Sequence, residues 1–182
     1  FFYSRIKNMI NFDNMIGRFE QYPRASLTGF ELTASGRLTG ATDALVSYTY
    51  LRSRALDSVT INNQYVPSLL YRPDELPYRP SHQFDVELRH RFTFGLDANF
   101  NGMYVSEATY YNHADPANIR AMIASKVKLD DYFLANAKLT QKVAGGFSLY
   151  FAIENMLNRL YETLYLYPAA GRTYRGGIRF EM

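Results

Sequence analysis

Histidine, serine and carboxylate side chains are where chemistry would be sought first in this sequence, and their spacing argues against most of it. His82, His90 and His113 are the three histidines, and none stands in a metal-binding or nucleophile motif. Ser81 precedes His82 directly, which hints at a hydrolase, but neighbouring strand residues point to opposite faces and do not form a dyad. His90 falls beside Phe92 near a short turn and reads as an interfacial histidine. Asp74, Glu75, Asp115, Asp130 and Asp131 carry the hard oxygens that Ca²⁺ prefers, yet they lack ligand spacing and read as solvated loop acids. With no cysteine there is no disulfide framework, thiolate metal site or Cys nucleophile. No catalytic residue, resident metal or cofactor is expected.

What remains is aromatic. The chain has 16 Tyr and 13 Phe but no Trp, more rings than a soluble core needs. Tyr suits a boundary where its ring meets lipid and its hydroxyl meets water. Tyr110 and Tyr111 open one long connection, and Tyr161, Tyr165 and Tyr167 line another ahead of Pro168. Rings so placed either stack on an apolar or cyclic ligand or pack their own loops.

The elements that must position these rings alternate with period two. Residues 84 to 92, FDVELRHRF, set Phe84, Val86, Leu88 and Phe92 against Asp85, Glu87, Arg89 and Arg91, a division that a helix would scramble. The turn TFG leads into 96 to 104, with Leu96, Ala98, Phe100 and Tyr104 opposing Asp97, Asn99 and Asn101. The same rhythm joins 24–38 to 44–54 and 129–142 to 146–156, and it runs through the opening segment and the closing stretch 171–182. About eight antiparallel strands result. Short turns near 39–43, 93–95 and 143–146 alternate with long connections near 11–23, 55–79, 108–127 and 157–170. That asymmetry is expected of a transmembrane β-barrel, with short periplasmic turns and long extracellular loops. The strands also exceed the soluble norm of about 5 to 6 residues and approach the roughly 9 to 11 of a tilted membrane strand. Tyr50, Tyr104, Tyr132 and Tyr174 at strand ends would form girdles. Glu87, Arg89, Arg91, Glu154, Arg175, Arg179 and Glu181 would face the lumen as a wall network. One or two helical turns are expected over 114–124, with Asp115 as cap and Pro116 at the first helical position.

The formal charge of +3 is scattered among acids, so nucleic acid is not an expected partner. No apolar run approaches the roughly 20 residues of a membrane helix, which says nothing against strands that hide their apolar residues at alternate positions. The chain opens at Phe1 with neither an initiator Met nor a leader's basic start, so a piece of a longer protein is expected.

The run IENMLNRLYETLYLYPAAGRTYRGGIRF resembles the C-terminal part of TonB-dependent outer-membrane receptors, through Ile153, Glu154, Asn155, Leu157, Asn158, Tyr161, Gly171 and Arg172. ASLTGFEL (25–32), VSYTYLRSRA and LPYRPSHQFDVEL are similar to that family's earlier strand motifs, so the resemblance spans nearly the whole chain. Met182 stands where the family usually ends in an aromatic residue. The resemblance implies an all-β, antiparallel fragment of a barrel of about 22 strands in the bacterial outer membrane. It implies uptake of a siderophore, cobalamin or similar metal-chelate ligand, with lipid, the missing barrel strands, a plug domain and TonB, through an absent N-terminal region, as partners. An autonomous small barrel acting as anchor or adhesin is the competing reading, and a soluble β-sandwich binding module is the third.

Overall fold

Alternation becomes strand along nearly the whole chain. The structure, a computed structural model, describes residues 1–13, 18–61, 64–65, 73–112 and 125–180. Its strands are β1 (Phe2–Asp13), β2 (Arg18–Thr39), β3 (Thr42–Ala55), β4 (Thr60–Ile61), β5 (Gln64–Tyr65), β6 (His82–Arg91) and β7 (Leu96–Val105). They continue as β8 (Ala108–Asn112), β9 (Ser125–Leu129), β10 (Tyr132–Lys142), β11 (Phe147–Glu154), β12 (Glu162–Leu164), β13 (Tyr167–Pro168) and β14 (Thr173–Phe180). Eight of these are the long strands expected, and the six short ones lie in the long connections. The expected helical turn at 114–124, His113, Asp115, Glu181 and Met182 lie outside the described residues.

The chain divides into two compact units. The second comprises residues 31–49, 82–106 and 131–182. Within it the strand order is β14-β11-β10-β7-β6, followed by the parts of β3 and β2 that belong to the unit. Every registered pair is antiparallel, and register converts sequence alternation into rows. Phe84, Tyr104 and Phe133 form one row, and Leu88, Phe100, Ala137, Ile153 and Tyr174 form another. On the opposite face stand Glu87, Asn101 and Asn136, then Arg89, Asn99, Lys138, Ala152 and Arg175. Burial is inverted relative to a soluble sheet. In β11, Phe147, Leu149 and Phe151 are exposed while Ser148, Tyr150 and Ala152 are half-buried. Ile178 in β14 is 71% exposed. Ten-residue strands such as β6 and β7, rising about 3.3 Å per residue at a tilt near 40°, span about 25 Å, the height of a barrel's lipid-facing band.

The polar face is cross-linked as expected. Arg89 contacts Asp97 at 3.2 Å, Arg91 and Arg37 share Asp43 at 2.6 and 3.4 Å, and Arg175 meets Glu154 at 3.0 Å. Asn99 donates to Glu87 at 2.7 Å. Tight turns close one end of this unit. Gly95 at φ 87°, and Gly145 and Gly146 at 73° and 79°, take left-handed conformations that a Cβ disfavours. Tyr132 departs from the expected girdle. Its register opposite Val105, not Tyr104, puts it on the polar face with Gln83.

The first unit comprises residues 1–30, 50–81 and 107–130. Here β1 pairs with the first half of β2 in one continuous register, from Phe2 opposite Gly29 to Asp13 opposite Arg18. The expected long connection at 11–23 is therefore largely strand. Its polar sequence concealed a ladder supported by the Phe12–Phe19 ring pair at 5.1 Å and by Asn11 donating to Glu20 at 3.2 Å. The ladder skips Asn8, at φ 55°, and Pro23, which has no N–H to give. Across that interruption Tyr22 and Ala25 both bury, in a core with Ala55, Val59, Leu76 and Tyr111.

Gly29 has no space for a side chain: a Cβ there would be driven into the Tyr50 carbonyl oxygen and the Phe2 ring. Gly36 has open space around it. We expect Gly29→Ala to lower folding stability by about 1–3 kcal/mol, as overpacking does, and Gly36→Ala to be nearly neutral. Urea unfolding of the refolded protein, followed by heat-modifiable gel migration, compares the two.

Candidate functional site

The residues with catalytic repertoire are occupied structurally. The Tyr48 hydroxyl is 2.7 Å from His82 Nδ1, and the His82 backbone N–H donates to Ser106 Oγ at 3.0 Å. His90 Nδ1 lies 2.8 Å from Thr42 Oγ1, with its ring edge-on to Phe92 at 4.3 Å, as an interfacial histidine would be. Among the described residues no group of three or more His, Asp and Glu could hold a metal.

Glu75 is instead the hub of a side-chain cluster in the first unit. Its carboxylate accepts from Thr109 Oγ1 at 2.8 Å and from Lys126 Nζ at 3.5 Å, while its backbone N–H reaches the Tyr111 hydroxyl oxygen at 3.4 Å. The Leu76 N–H donates to Ser53 Oγ, and the Tyr78 N–H donates to the Thr109 carbonyl. These bonds dock segment 73–78 onto the hairpin of β8 and β9 and onto the end of β3. Tyr78 stacks on Tyr110 at 5.4 Å. Tyr110 and Tyr111 are consequently 3% and 6% exposed, and burial pushes the Tyr111 phenol up to about 12. Both rings pack their own connection. Beside them an open cleft of about 660 Å³ is bordered by Tyr50, Arg52, Arg54, Leu56, Asp74 and Glu75.

The connection from β11 to β14, in the second unit, is built around asparagines. Asn155 is 5% exposed with φ 50°, a conformation Asn tolerates better than most residues. Its Nδ2 donates to the Arg159 and Ala170 carbonyls at 2.9 and 3.3 Å, and its Oδ1 accepts from the Arg159 N–H at 2.8 Å. Its own N–H donates to Asn136 Oδ1 at 2.8 Å, and Asn136 donates to Asn101 Oδ1 at 3.1 Å. A polar chain thus ties β7 and β10 to the root of the loop. Asn158, at φ 51°, accepts from the Arg172 N–H at 3.0 Å, and Gly171 leaves room for that oxygen. Glu154 pairs with Arg175, and Tyr161 packs on Tyr132 at 4.5 Å. The motif residues Glu154, Asn155, Tyr161, Gly171 and Arg172 therefore frame a loop; Leu157 is exposed.

The frame carries the small hairpin of β12 and β13. Glu162 Oε2 caps the Leu166 N–H at 3.0 Å, and the Ala169 N–H closes onto the Tyr161 carbonyl at 2.9 Å. Tyr165 is half-buried, whereas Leu166 and Tyr167 are 57% and 55% exposed. Of the five tyrosines singled out by sequence, Tyr165 and Tyr167 occupy this presented tip. Asn101 and Asn136 escaped sequence reading because their partnership with Asn155 depends on register between strands.

A family model described as TonB dependent receptor-like, beta-barrel, matches residues 1–156. Comparison with curated protein sequences gives no match. Among solved structures, the siderophore receptor PiuA from Acinetobacter baumannii is similar at 17% identity and a TM-score of 0.72, over 98% of this chain and 25% of that one. The FrpB iron transporter from Neisseria meningitidis is 20% identical with a TM-score of 0.68, over 97% and 27%. The ferric-catecholate import receptor Fiu from K12 E. coli is 20% identical with a TM-score of 0.66, over 97% and 24%. The chain spans about a quarter of the length of these structures.

Asn155 serves a left-handed backbone and four hydrogen bonds at once. Asn155→Gly, which keeps the backbone freedom, is expected to cost about 2 kcal/mol in unsatisfied buried groups, and Asn155→Ala more. Leu157→Ala, at an exposed site, should stay within about 0.5 kcal/mol. Urea unfolding in detergent ranks the three.

Proposed function

The chain belongs to the TonB-dependent receptor-like β-barrel family, and is an outer-membrane protein on that ground; we propose that it supplies wall strands and extracellular capture loops to a receptor that imports a ferric siderophore. It works as part of a larger barrel. Strand β14 has β11 as its one neighbour among the described residues, and an edge left unpaired in hydrocarbon is costly enough to call for further strands. A plug domain and TonB complete the transporter; the plug moves under inner-membrane energy, while this chain stays a non-catalytic scaffold.

The observation that carries the reading is the hairpin of β12 and β13, held by the Asn155 frame with Leu166 and Tyr167 exposed at its tip. Aromatic rings on a rigid base can stack on an aromatic chelator with little loss of conformational entropy. Tyr165 and Tyr167 are the contact residues in this account, while Tyr110, Tyr111 and Tyr161 hold the loops that surround them. The ligand class follows from PiuA, described as a siderophore receptor, and Fiu, described as a ferric-catecholate import receptor. Cobalamin is the competing cargo.

The complete receptor with Tyr165→Ala and Tyr167→Ala, produced in cells lacking other iron receptors, should take up radioactive iron from catecholate chelates about tenfold less well, equivalent to about 1.4 kcal/mol of lost contact. Surface abundance is measured in parallel. Unchanged iron uptake removes these tyrosines from capture, and uptake of labelled cobalamin in place of iron overturns the ligand assignment.

A further inference from the structure

The polar face of the second unit is uneven in charge, and the capture role of the loops leaves the uneven part unused. On the side of β6 and β7 the charges are matched: Arg89 pairs with Asp97, Arg91 and Arg37 share Asp43, and Glu87 accepts from Asn99. On the side of β10, β11 and β14 they are not. Register puts Lys138, Ala152 and Arg175 in one polar row, Thr140, Tyr150 and Gly177 in the next, and Lys142, Ser148 and Arg179 in a third. Glu154, one row above, is the single carboxylate on these three strands, and it pairs with Arg175 at 3.0 Å. Among the described residues Lys138 and Lys142 have no carboxylate within ion-pair distance. The Lys138 ammonium lies instead over the Tyr150 ring, 5.3 Å from its centroid.

Strand β11 keeps its side chains small where the cations stand. Ala152 lies between Lys138 and Arg175, and Ser148 lies between Lys142 and Arg179. Strand spacing sets the cations of one row about 10 Å apart across that low strip. Tyr150 occupies the row between them. A Cβ on Gly177 would come within 2.6 Å of its ring, so glycine gives the ring its place against β14.

Height gives the arrangement a direction. The two cationic rows are four residues apart along each strand, which at a tilt near 40° is about 10 Å of height. Lys142 borders the tight turn at 144–146, at the end of the sheet opposite the hairpin of β12 and β13. Cations therefore stand at two levels between the capture hairpin and the periplasmic mouth. Walls that carry one sign of charge concentrate ions of the other sign, and several weak sites in succession let an ion enter and still leave. Lysine ammonium groups also attract the faces of aromatic rings. A cargo both anionic and aromatic suits such a wall on both counts.

We propose that Lys138 with Arg175, and then Lys142 with Arg179, form a two-step path on the lumen wall along which an anionic, aromatic metal chelate passes from the capture loops to the periplasm. This rests on the import reading above and adds to it the charge and the route of the cargo.

The test uses the complete receptor, in cells lacking other iron receptors, with Lys138→Gln and Lys142→Gln combined. Radioactive ferric catecholate bound by chilled cells reports capture, and its entry on warming reports passage. The double variant is expected to bind the chelate as wild type does and to import it about tenfold more slowly, while the Lys138→Arg, Lys142→Arg variant keeps most of the wild-type rate. Should the glutamine variant misassemble, Arg179→Gln on a different strand carries the same expectation of slow import at unchanged capture. Equal import by wild type and glutamine variants overturns the path alone. Weakened binding to chilled cells also overturns it, since the cations then belong to the capture site. Slow import accompanied by entry of a bulky hydrophilic antibiotic such as vancomycin overturns it as well, because the cations then seat the plug. Wild-type cells that import cobalamin in place of ferric catecholate overturn the path together with the ligand assignment beneath it.

Discussion

Backbone hydrogen bonding in hydrocarbon is the constraint on which the rest depends. With no water to satisfy an orphaned N–H or C=O, a strand that crosses a membrane must be paired along its length, and pairing forces side chains to alternate between two environments. Everything regular in the second unit follows from this. Phe84, Tyr104 and Phe133 share a row because register puts them there, and Glu87, Asn101 and Asn136 share the opposite face for the same reason. The half-buried Ser148, Tyr150 and Ala152, beside exposed Phe147, Leu149 and Phe151, show a sheet whose hydrophobic stabilisation comes from lipid in place of a protein core.

Outside the ladder, order has to be made by side chains. In the first unit it comes from a conventional core around Tyr22, Val59 and Leu76, with Glu75 clamping the hairpin of β8 and β9. In the β11 to β14 connection it comes from asparagine. Asn155 and Asn158 combine tolerance of positive φ with amide groups that satisfy loop carbonyls and N–H groups. The asparagine-rich run read in this region thus has a physical meaning. Its amides tie the two ends of the connection together, and the hairpin with exposed Leu166 and Tyr167 stands on that base.

Much of the fold was legible because period two is a local property. The FDVELRHRF stretch announced β6 without any knowledge of its partners, and the glycine turns announced the hairpins. Features that depend on pairing were not legible. Residues 11–23 looked like a connection because Asn11, Glu20 and Tyr22 satisfy one another only when β1 and β2 are side by side. Tyr132 looked like a girdle residue until its register with Val105 put it on the polar face. The site was legible in part. Tyrosine composition singled out two connections, and burial separates the packing residues Tyr110 and Tyr111 in one from the exposed Tyr167 in the other.

The central claim is that the two faces of these strands meet different media, lipid on one and water on the other. Single nitroxide labels placed in turn along β6, from Phe84 to Arg91, in the complete receptor reconstituted in a bilayer test it directly. Collision with apolar oxygen and with a polar nickel chelate is measured at each position. The account predicts alternation with period two: high oxygen and low nickel access at 84, 86, 88 and 90, and the reverse at 85, 87, 89 and 91. Uniform access, or alternation of the opposite phase, would contradict it.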